Sequence, residues 1–311
     1  MTATPSSAPS SAPLAAYTAA RSVPPVQGPR GRPVGGPVLG TGLVLGGLLA
    51  QEFGAAVAAS LFPRAGALGI VALRLTVSAV LLLAVCRPGV RGHRRADWAV
   101  IVAFGVALAG MNTLFYQAIA RLPLGAAVTL EVLGPLVLSV VTARRATGWL
   151  WAALALGGVA LLGRGGLDSL DGAGVGFALG AAALWAAYIL LSARTGARFP
   201  RADGLALAMV VGAVLSLPAG LADAGGRLLD PVTLGLGAVV AVLSSALPYT
   251  LELLALRRLA AATFAVLMSL APAVAALAGY LVLNQGLAGI DLIAITLVVT
   301  ASAGAVRASG R

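Results

Sequence analysis

The stretch Leu124-Gly-Ala-Ala-Val-Thr-Leu-Glu131-Val-Leu-Gly-Pro135-Leu-Val-Leu-Ser-Val-Val141 sets a carboxylate in the middle of an apolar run. An ionisable side chain at bilayer depth is costly, so it is kept where it meets a partner or a water-filled cavity. Outward from Glu131 the chain continues as a succession of similar apolar runs. Of its 311 residues, 59% are hydrophobic and 10% charged, against about 25% charged in soluble domains. A soluble core of that apolarity would leave too few polar residues to cover its surface. The chain is therefore read as an all-α membrane protein with a polar site at its centre, and a transporter is the first function to consider.

The formal net charge is +11, but its distribution argues against nucleic acid. All 21 basic residues are Arg, and nearly all lie in short gaps between apolar runs. No basic domain is left to grip phosphates. One Cys (Cys86) allows no internal disulfide, and one His (His93), in an Arg-rich loop, allows no His-based metal site. Neither a metal nor a cofactor is expected. Residues 1–35 differ from the rest, being rich in Pro, Ser, Ala and Gly, with Arg21, Arg30 and Arg32. They lack the continuous apolar stretch of a signal peptide and are expected to form a disordered cytoplasmic tail.

A membrane span needs roughly 20 mostly apolar residues. Ten candidates follow Gly36, at 38–61, 66–86, 98–119, 123–142, 148–163, 173–193, 204–222, 232–256, 261–283 and 289–306. Gly and Pro inside them do not argue against helix, because membrane spans tolerate both. With the N-terminus inside, sixteen Arg fall in cytoplasmic segments: Arg21, Arg30, Arg32, Arg87, Arg91, Arg94, Arg95, Arg144, Arg145, Arg194, Arg198, Arg201, Arg257, Arg258, Arg307 and Arg311. Four (Arg64, Arg121, Arg164, Arg227) fall outside, and Arg74 lies within a span. This positive-inside bias places both termini in the cytoplasm.

Ten spans divide into two fives, and an odd-numbered repeat inserts its two copies in opposite senses. At an offset of 137 residues, Ala118-x-x-Arg121-Leu122 recurs as Ala255-x-x-Arg258-Leu259, and Pro135 recurs as Pro272. The expected architecture is ten transmembrane helices as two inverted five-helix repeats, 36–165 and 170–307. Transporters built this way carry a midplane site at the repeat interface.

Counting 1.5 Å of rise per residue, Glu52, Arg74, Asn112 and Glu131 all lie about 10–14 Å below the external surface. Four polar side chains on four helices at one depth suggest a shared cavity. Asn112, Phe115 and Tyr116 share one helical face. Pro135 has no N–H for the carbonyl of Glu131, Pro272 none for Met268, and Pro248 none for Ser244, so three carbonyls are freed. A static buried ion pair of Arg74 with Glu131 or Glu52 is the competing structural reading. Asn112 bonded to a neighbouring helix is another.

The run from Met111-Asn-Thr-Leu-Phe-Tyr116 through Arg121 and Glu131 to Pro135 resembles the threonine/homoserine exporter branch of the drug/metabolite transporter superfamily. So do Ser245-Ala-Leu-Pro248-Tyr249-Thr-Leu-Glu252 and Phe264-Ala-Val-Leu-Met268-Ser-Leu-Ala-Pro272, together with Leu61-Phe-Pro63 and Ala72-Leu-Arg74. The resemblance covers essentially everything from residue 36 onward. It implies two EamA-type repeats, an inner-membrane location and export of small amino acids or related metabolites by proton exchange. This chain departs from the family at Ala271, where a Glu often precedes the proline. It departs again at Asn284-Gln285, where Gly-Glu is usual.

The expected carrier takes a small zwitterion. Glu131 receives its ammonium or a counter-transported proton, and Arg74 attracts its carboxylate or sets the protonation of Glu131. Asn112, Tyr116 and Tyr249 offer hydrogen bonds, and Gln51, Glu52 and Glu252 complete the candidate set. The expected partners are a small-molecule cargo and the lipid bilayer, with homodimer formation allowed and no nucleic acid. Two alternatives differ in cargo or class. A drug or nucleotide-sugar carrier would share the fold, but a nucleotide-sugar demands several basic residues in the cavity. A membrane enzyme on lipid-linked substrates would need clustered acid–base or metal groups in a loop. The loop carboxylates Asp168, Asp171, Asp223 and Asp230 are scattered and read as turns and solvated charge.

Overall fold

The structure, a computed structural model, describes residues 36–143, 146–162, 171–199, 202–256, 258–259 and 261–309. The expected tail at 1–35 and the loop holding Arg164 and Asp168 lie outside the described residues. Within them the chain is helical and contains no strand. The helices are α1 (Gly36–Ser60), α2 (Phe62–Cys86), α3 (Arg95–Ile119), α4 (Leu124–Glu131), α5 (Leu133–Ala143), α6 (Ala146–Leu162) and α7 (Gly172–Gly196). Then come α8 (Asp203–Ala224), α9 (Pro231–Ala241), α10 (Leu247–Leu256), α11 (Ala261–Met268), α12 (Ala271–Leu283) and α13 (Gly289–Ser309).

Six stretches are long and apolar enough to cross a membrane: Val38–Ser60, Phe62–Cys86, Arg95–Ile119, Gly172–Gly196, Asp203–Leu229 and Val266–Leu283. Four shorter apolar ones, Leu124–Leu138, Trp149–Leu161, Pro231–Ala246 and Gly289–Ala305, fall where the sequence suggested its fourth, fifth, eighth and tenth spans. Two of the four are interrupted for a visible reason. The fourth segment breaks at Val132, between α4 and α5, and the eighth passes through a π turn at Val242–Ala246 between α9 and α10. Each interruption precedes a proline that cannot donate to the helical ladder. Large apolar side chains such as Val85, Trp149, Leu150, Val214 and Leu281 are exposed, which suits a surface bathed in lipid chains.

The Asp residues near the helix ends act as caps and anchors. Asp171 accepts the Ala173 and Gly174 N–H groups at 2.8 and 3.3 Å, and Arg121 lies 3.7 Å from it. Asp230 accepts the Thr233 N–H at 3.0 Å and lies 3.9 Å from Arg64. That N–H, then the Thr233 hydroxyl, hold the Asp230 carboxyl below the ordinary carboxylate range. Asp223 reaches across to accept the Leu68 N–H at 3.0 Å. It fills the space a side chain at Gly66 would need, and Gly66 itself has φ +67°, a conformation that favours glycine.

The packing repeats between the two halves. Taking α4–α5, α9–α10 and α11–α12 each as one segment gives ten in chain order. The second packs on the seventh (α2 on α8), the third on the sixth (α3 on α7), the fourth on the ninth (α4 on α12) and the fifth on the tenth (α6 on α13). The first meets the eighth, with Gly54 against Leu243 and Ser244. Adding five to every segment number returns the same set of pairs. Small residues let these crossings close. A Cβ on Gly69 would stand 2.8 Å from that of Ala224, and one on Gly125 would stand 2.7 Å from that of Ala276.

The echo at an offset of 137 is also local structure. Arg121 donates to the Gln117 carbonyl and Arg258 to the Leu254 carbonyl, each four residues back and each at 2.9 Å. α4 ends at Glu131 and α11 ends at Met268, the two positions related by the same offset, each followed four residues later by proline.

Candidate functional site

Glu131 is the last residue of α4. The Val132 N–H still bonds back to Val128 at 3.0 Å, and the ladder resumes with Leu136 bonded to Val132 at 3.2 Å. Pro135 leaves the Glu131 carbonyl without its helical donor. Gly134, one residue before that proline, sits against the backbone of Ala182, where a Cβ would run into the Ala182 carbonyl. The break is thereby held against α7, and Glu131 lines a cavity of about 160 Å³. A volume of that order holds a handful of waters or one small metabolite.

The cavity gathers Gln51 and Glu52 from α1, Arg74 from α2, Asn112 and Phe115 from α3, and Glu131 from α4. Glu52 and Asn112 are buried, at 3% and 6% exposure. The depth estimate made from residue counting thus brings four polar side chains to one chamber. Ser244 joins them from the second half. The charges of Arg74, Glu52 and Glu131 lie within electrostatic range of one another.

Arg74 is held by two elements. One terminal nitrogen donates to the Asn112 Oδ1 at 2.7 Å and the Tyr116 hydroxyl at 3.3 Å, and the other donates to the Ser244 carbonyl at 2.9 Å. The guanidinium carbon also lies 5.6 Å from the centre of the Tyr116 ring, a cation–π distance. In an α-helical register Pro248 would leave the Ser244 carbonyl without a donor; here the segment passes through a π turn, with the Leu247 N–H bonded five residues back to Val242. An arginine from the second segment takes the Ser244 carbonyl at this turn.

Asn112 spends its amide within the protein, because its Nδ2 donates to the Leu108 carbonyl at 2.8 Å. Tyr116 is fully buried behind Arg74 and does not line the cavity. Both residues act on the guanidinium directly. The side chains of Tyr249 and Glu252 lie outside the described residues. Sequence reasoning did not single out Met111, Trp185 or Tyr188, and it marked Ser244 and Met268 only for their carbonyls; all five line the chamber. Trp185 and Tyr188 carried a usable signal, as an aromatic pair spaced i, i+3 in an apolar run. The Ser244 hydroxyl is buried and has no hydrogen-bond partner among the described residues. Those residues include no cluster of three or more metal-ligating side chains.

Residues 172–307 match the EamA-like transporter family. The threonine/homoserine exporter RhtA of Salmonella typhimurium is 41% identical over 255 residues, covering 81% of this chain and 86% of that protein. The exporter of the same name from Escherichia coli is 39% identical over 264 residues, covering 84% and 89%. A crystal structure that is 23% identical superposes with a TM-score of 0.53, covering 88% of this chain and 96% of that one. It supports the fold alone.

Proposed function

Because the chain belongs to the EamA-like transporter family, on the branch of the RhtA exporters, we propose that it is an inner-membrane carrier exporting small amino acids of the threonine and homoserine type in exchange for protons. Ten crossings as two inverted repeats, 36–165 and 170–307, with both termini cytoplasmic, are part of this proposal. Membership in a transporter family also answers the enzyme alternative.

The observation that carries the reading is a single cavity lined by two carboxylates and one guanidinium. One positive charge cannot neutralise two negative ones, and an uncompensated charge in a low-dielectric bundle is costly. The chamber therefore has a place for one further cation equivalent, either a proton or a substrate ammonium. A site that accepts one or the other, and faces the two sides of the membrane in turn, performs exchange. Glu131 at the helix break is the proposed shared acceptor, with Glu52 beside it.

Arg74 supplies the positive field for the substrate carboxylate, and Asn112, Tyr116 and the Ser244 carbonyl hold it in place. The Ser244 hydroxyl and Gln51 are the proposed hydrogen-bonding contacts to cargo. Tyr249 and Glu252, on the segment that carries Ser244, are the proposed contributions of the second half. The size of the polar chamber favours a small cargo, since about 160 Å³ is below the ~300–1,000 Å³ of pockets for drug-sized ligands. Among the described residues a single basic side chain lines it, too few for a nucleotide-sugar diphosphate.

Glu131→Gln keeps the shape and removes the exchangeable charge. In proteoliposomes it should abolish threonine flux driven by a pH gradient, while the protein still inserts and purifies as before. Undiminished flux in this variant would remove Glu131 from the mechanism. Cells expressing the unaltered protein should also grow in inhibitory threonine or homoserine. Failure of both to be tolerated would overturn the proposed cargo.

A further inference from the structure

A second cavity, of about 260 Å³, adjoins the polar chamber. Trp185 and Met268 line both. The second begins at Val132, the residue that follows Glu131, and continues along Leu136, Ile189 and Phe264. Its walls come from α5, α7, α11 and α13, so it runs from the helix break of the first half to the matching break of the second. Its chemistry is the opposite of its neighbour's, for no charged side chain lines it. Two hydroxyls are present. That of Ser269 is committed to the Val266 carbonyl at 2.6 Å, and that of Ser302, on a residue 6% exposed, has no partner among the described residues.

A hydrophilic cargo gains nothing from such a space, and as a passage it would cost a zwitterion its hydration with no compensating groups. As a well for an apolar group it is suited in size, lining and position. We infer that this apolar cavity binds the side chain of a larger amino acid whose ammonium and carboxylate occupy the polar chamber, so that the carrier also accepts zwitterions with apolar side chains of leucine to phenylalanine size. The inference rests on the export reading above, because it uses the Glu131 chamber as the head-group site. Trp185 and Met268 then flank the point where the side chain leaves the α-carbon, and they set the reach of the cargo. Threonine and homoserine fill the polar chamber and leave the apolar one to water or to nothing.

The experiment uses the full chain in proteoliposomes and measures uptake of labelled threonine and labelled leucine, with methionine and phenylalanine as competitors. In the unaltered protein leucine should be taken up, and all three apolar amino acids should inhibit threonine flux. Ser302→Leu puts a side chain into the apolar cavity at a distance from the polar chamber. It should weaken leucine uptake by about tenfold or more, the discrimination that a few methylenes command in an apolar pocket, and leave threonine flux unchanged. Ala305→Val fills the same space from the next turn of α13 and serves if the first variant fails to insert, while Ser302→Ala should transport both substrates normally.

The outcomes separate cleanly. Threonine flux with no leucine uptake and no apolar competition overturns this inference and leaves the export reading standing. Absence of both fluxes overturns the export reading itself. Leucine uptake that survives both filling variants places its side chain elsewhere and overturns the assignment. A lipid retained in the purified protein and lost in Ser302→Leu, with leucine uptake unaffected, would assign the cavity to an acyl chain and also overturn it.

Discussion

Arg74 spreads its charge over a planar fork whose arms go to different helices, one to Asn112 and Tyr116 on α3 and the other to the Ser244 carbonyl at the π turn. A lysine brings a point charge on a flexible stem and cannot reproduce that division. Arg74→Lys should therefore lower threonine flux by about tenfold to a hundredfold, the equivalent of one charge-assisted hydrogen bond at ~1.5–3 kcal/mol, with insertion unaffected. Initial rates at matched protein density check this. A lysine variant with the rate of the unaltered protein would show that the fork is dispensable. The same residues mark how far sequence reasoning reached. Depth along an apolar run was legible, because rise per residue is fixed, and it gathered Glu52, Arg74, Asn112 and Glu131. What lies between a side chain and the cavity was not legible. Tyr116 shares the face of Asn112 as expected, yet Arg74 stands in front of it, and helical periodicity carries no information on which of two neighbours comes first.

Helix interruptions are what turn a bundle of apolar rods into a site, and at this scale the sequence was informative wherever proline was involved. Pro135, Pro248 and Pro272 each predicted a freed carbonyl, and each stands four residues after the end of a helix or within reach of a π turn. The partner of the freed Ser244 carbonyl could not be read, because it depends on which face of a distant helix arrives there. The Asn284-Gln285 departure from the family pattern finds its account at this scale as well. Asn284 takes a left-handed conformation (φ +53°) and closes α12, and the Gln285 Oε1 accepts the Leu124 N–H at 2.9 Å. A polar side chain is thus bonded to the first turn of α4, the helix that ends in Glu131. An amide oxygen serves there as well as a carboxylate. Gln285→Glu should accordingly retain threonine flux, and Gln285→Leu, which leaves that N–H unpaired, should lose about 1–3 kcal/mol of stability. Thermal unfolding in detergent distinguishes the two, and equal melting of Gln285→Leu and the unaltered protein would remove the capping role.

At the scale of the whole molecule, packing and charge make separate statements about orientation. The five helix pairs described above map onto one another when the halves are exchanged. The Arg121 and Arg258 carbonyl bonds recur at the same offset. In the proposed arrangement of five crossings per copy, equivalent ends lie on opposite sides of the bilayer, so Arg121 and Arg258 would not both be cytoplasmic. The proposed absolute sense rests on the arginine asymmetry, which would put the Arg194–Arg201 side in the cytoplasm and the Arg227 side outside. Gly196 and Gly226 sit on those two sides, and both have open space where a Cβ would be added, so a cysteine at either should leave the packing intact. With Cys86 first replaced by serine, Gly226→Cys should react with a membrane-impermeant maleimide added to intact cells. Gly196→Cys should react only after the membrane is opened. Reaction of Gly196→Cys in intact cells would invert the bundle, and with it the direction in which the Glu131 chamber loads its cargo.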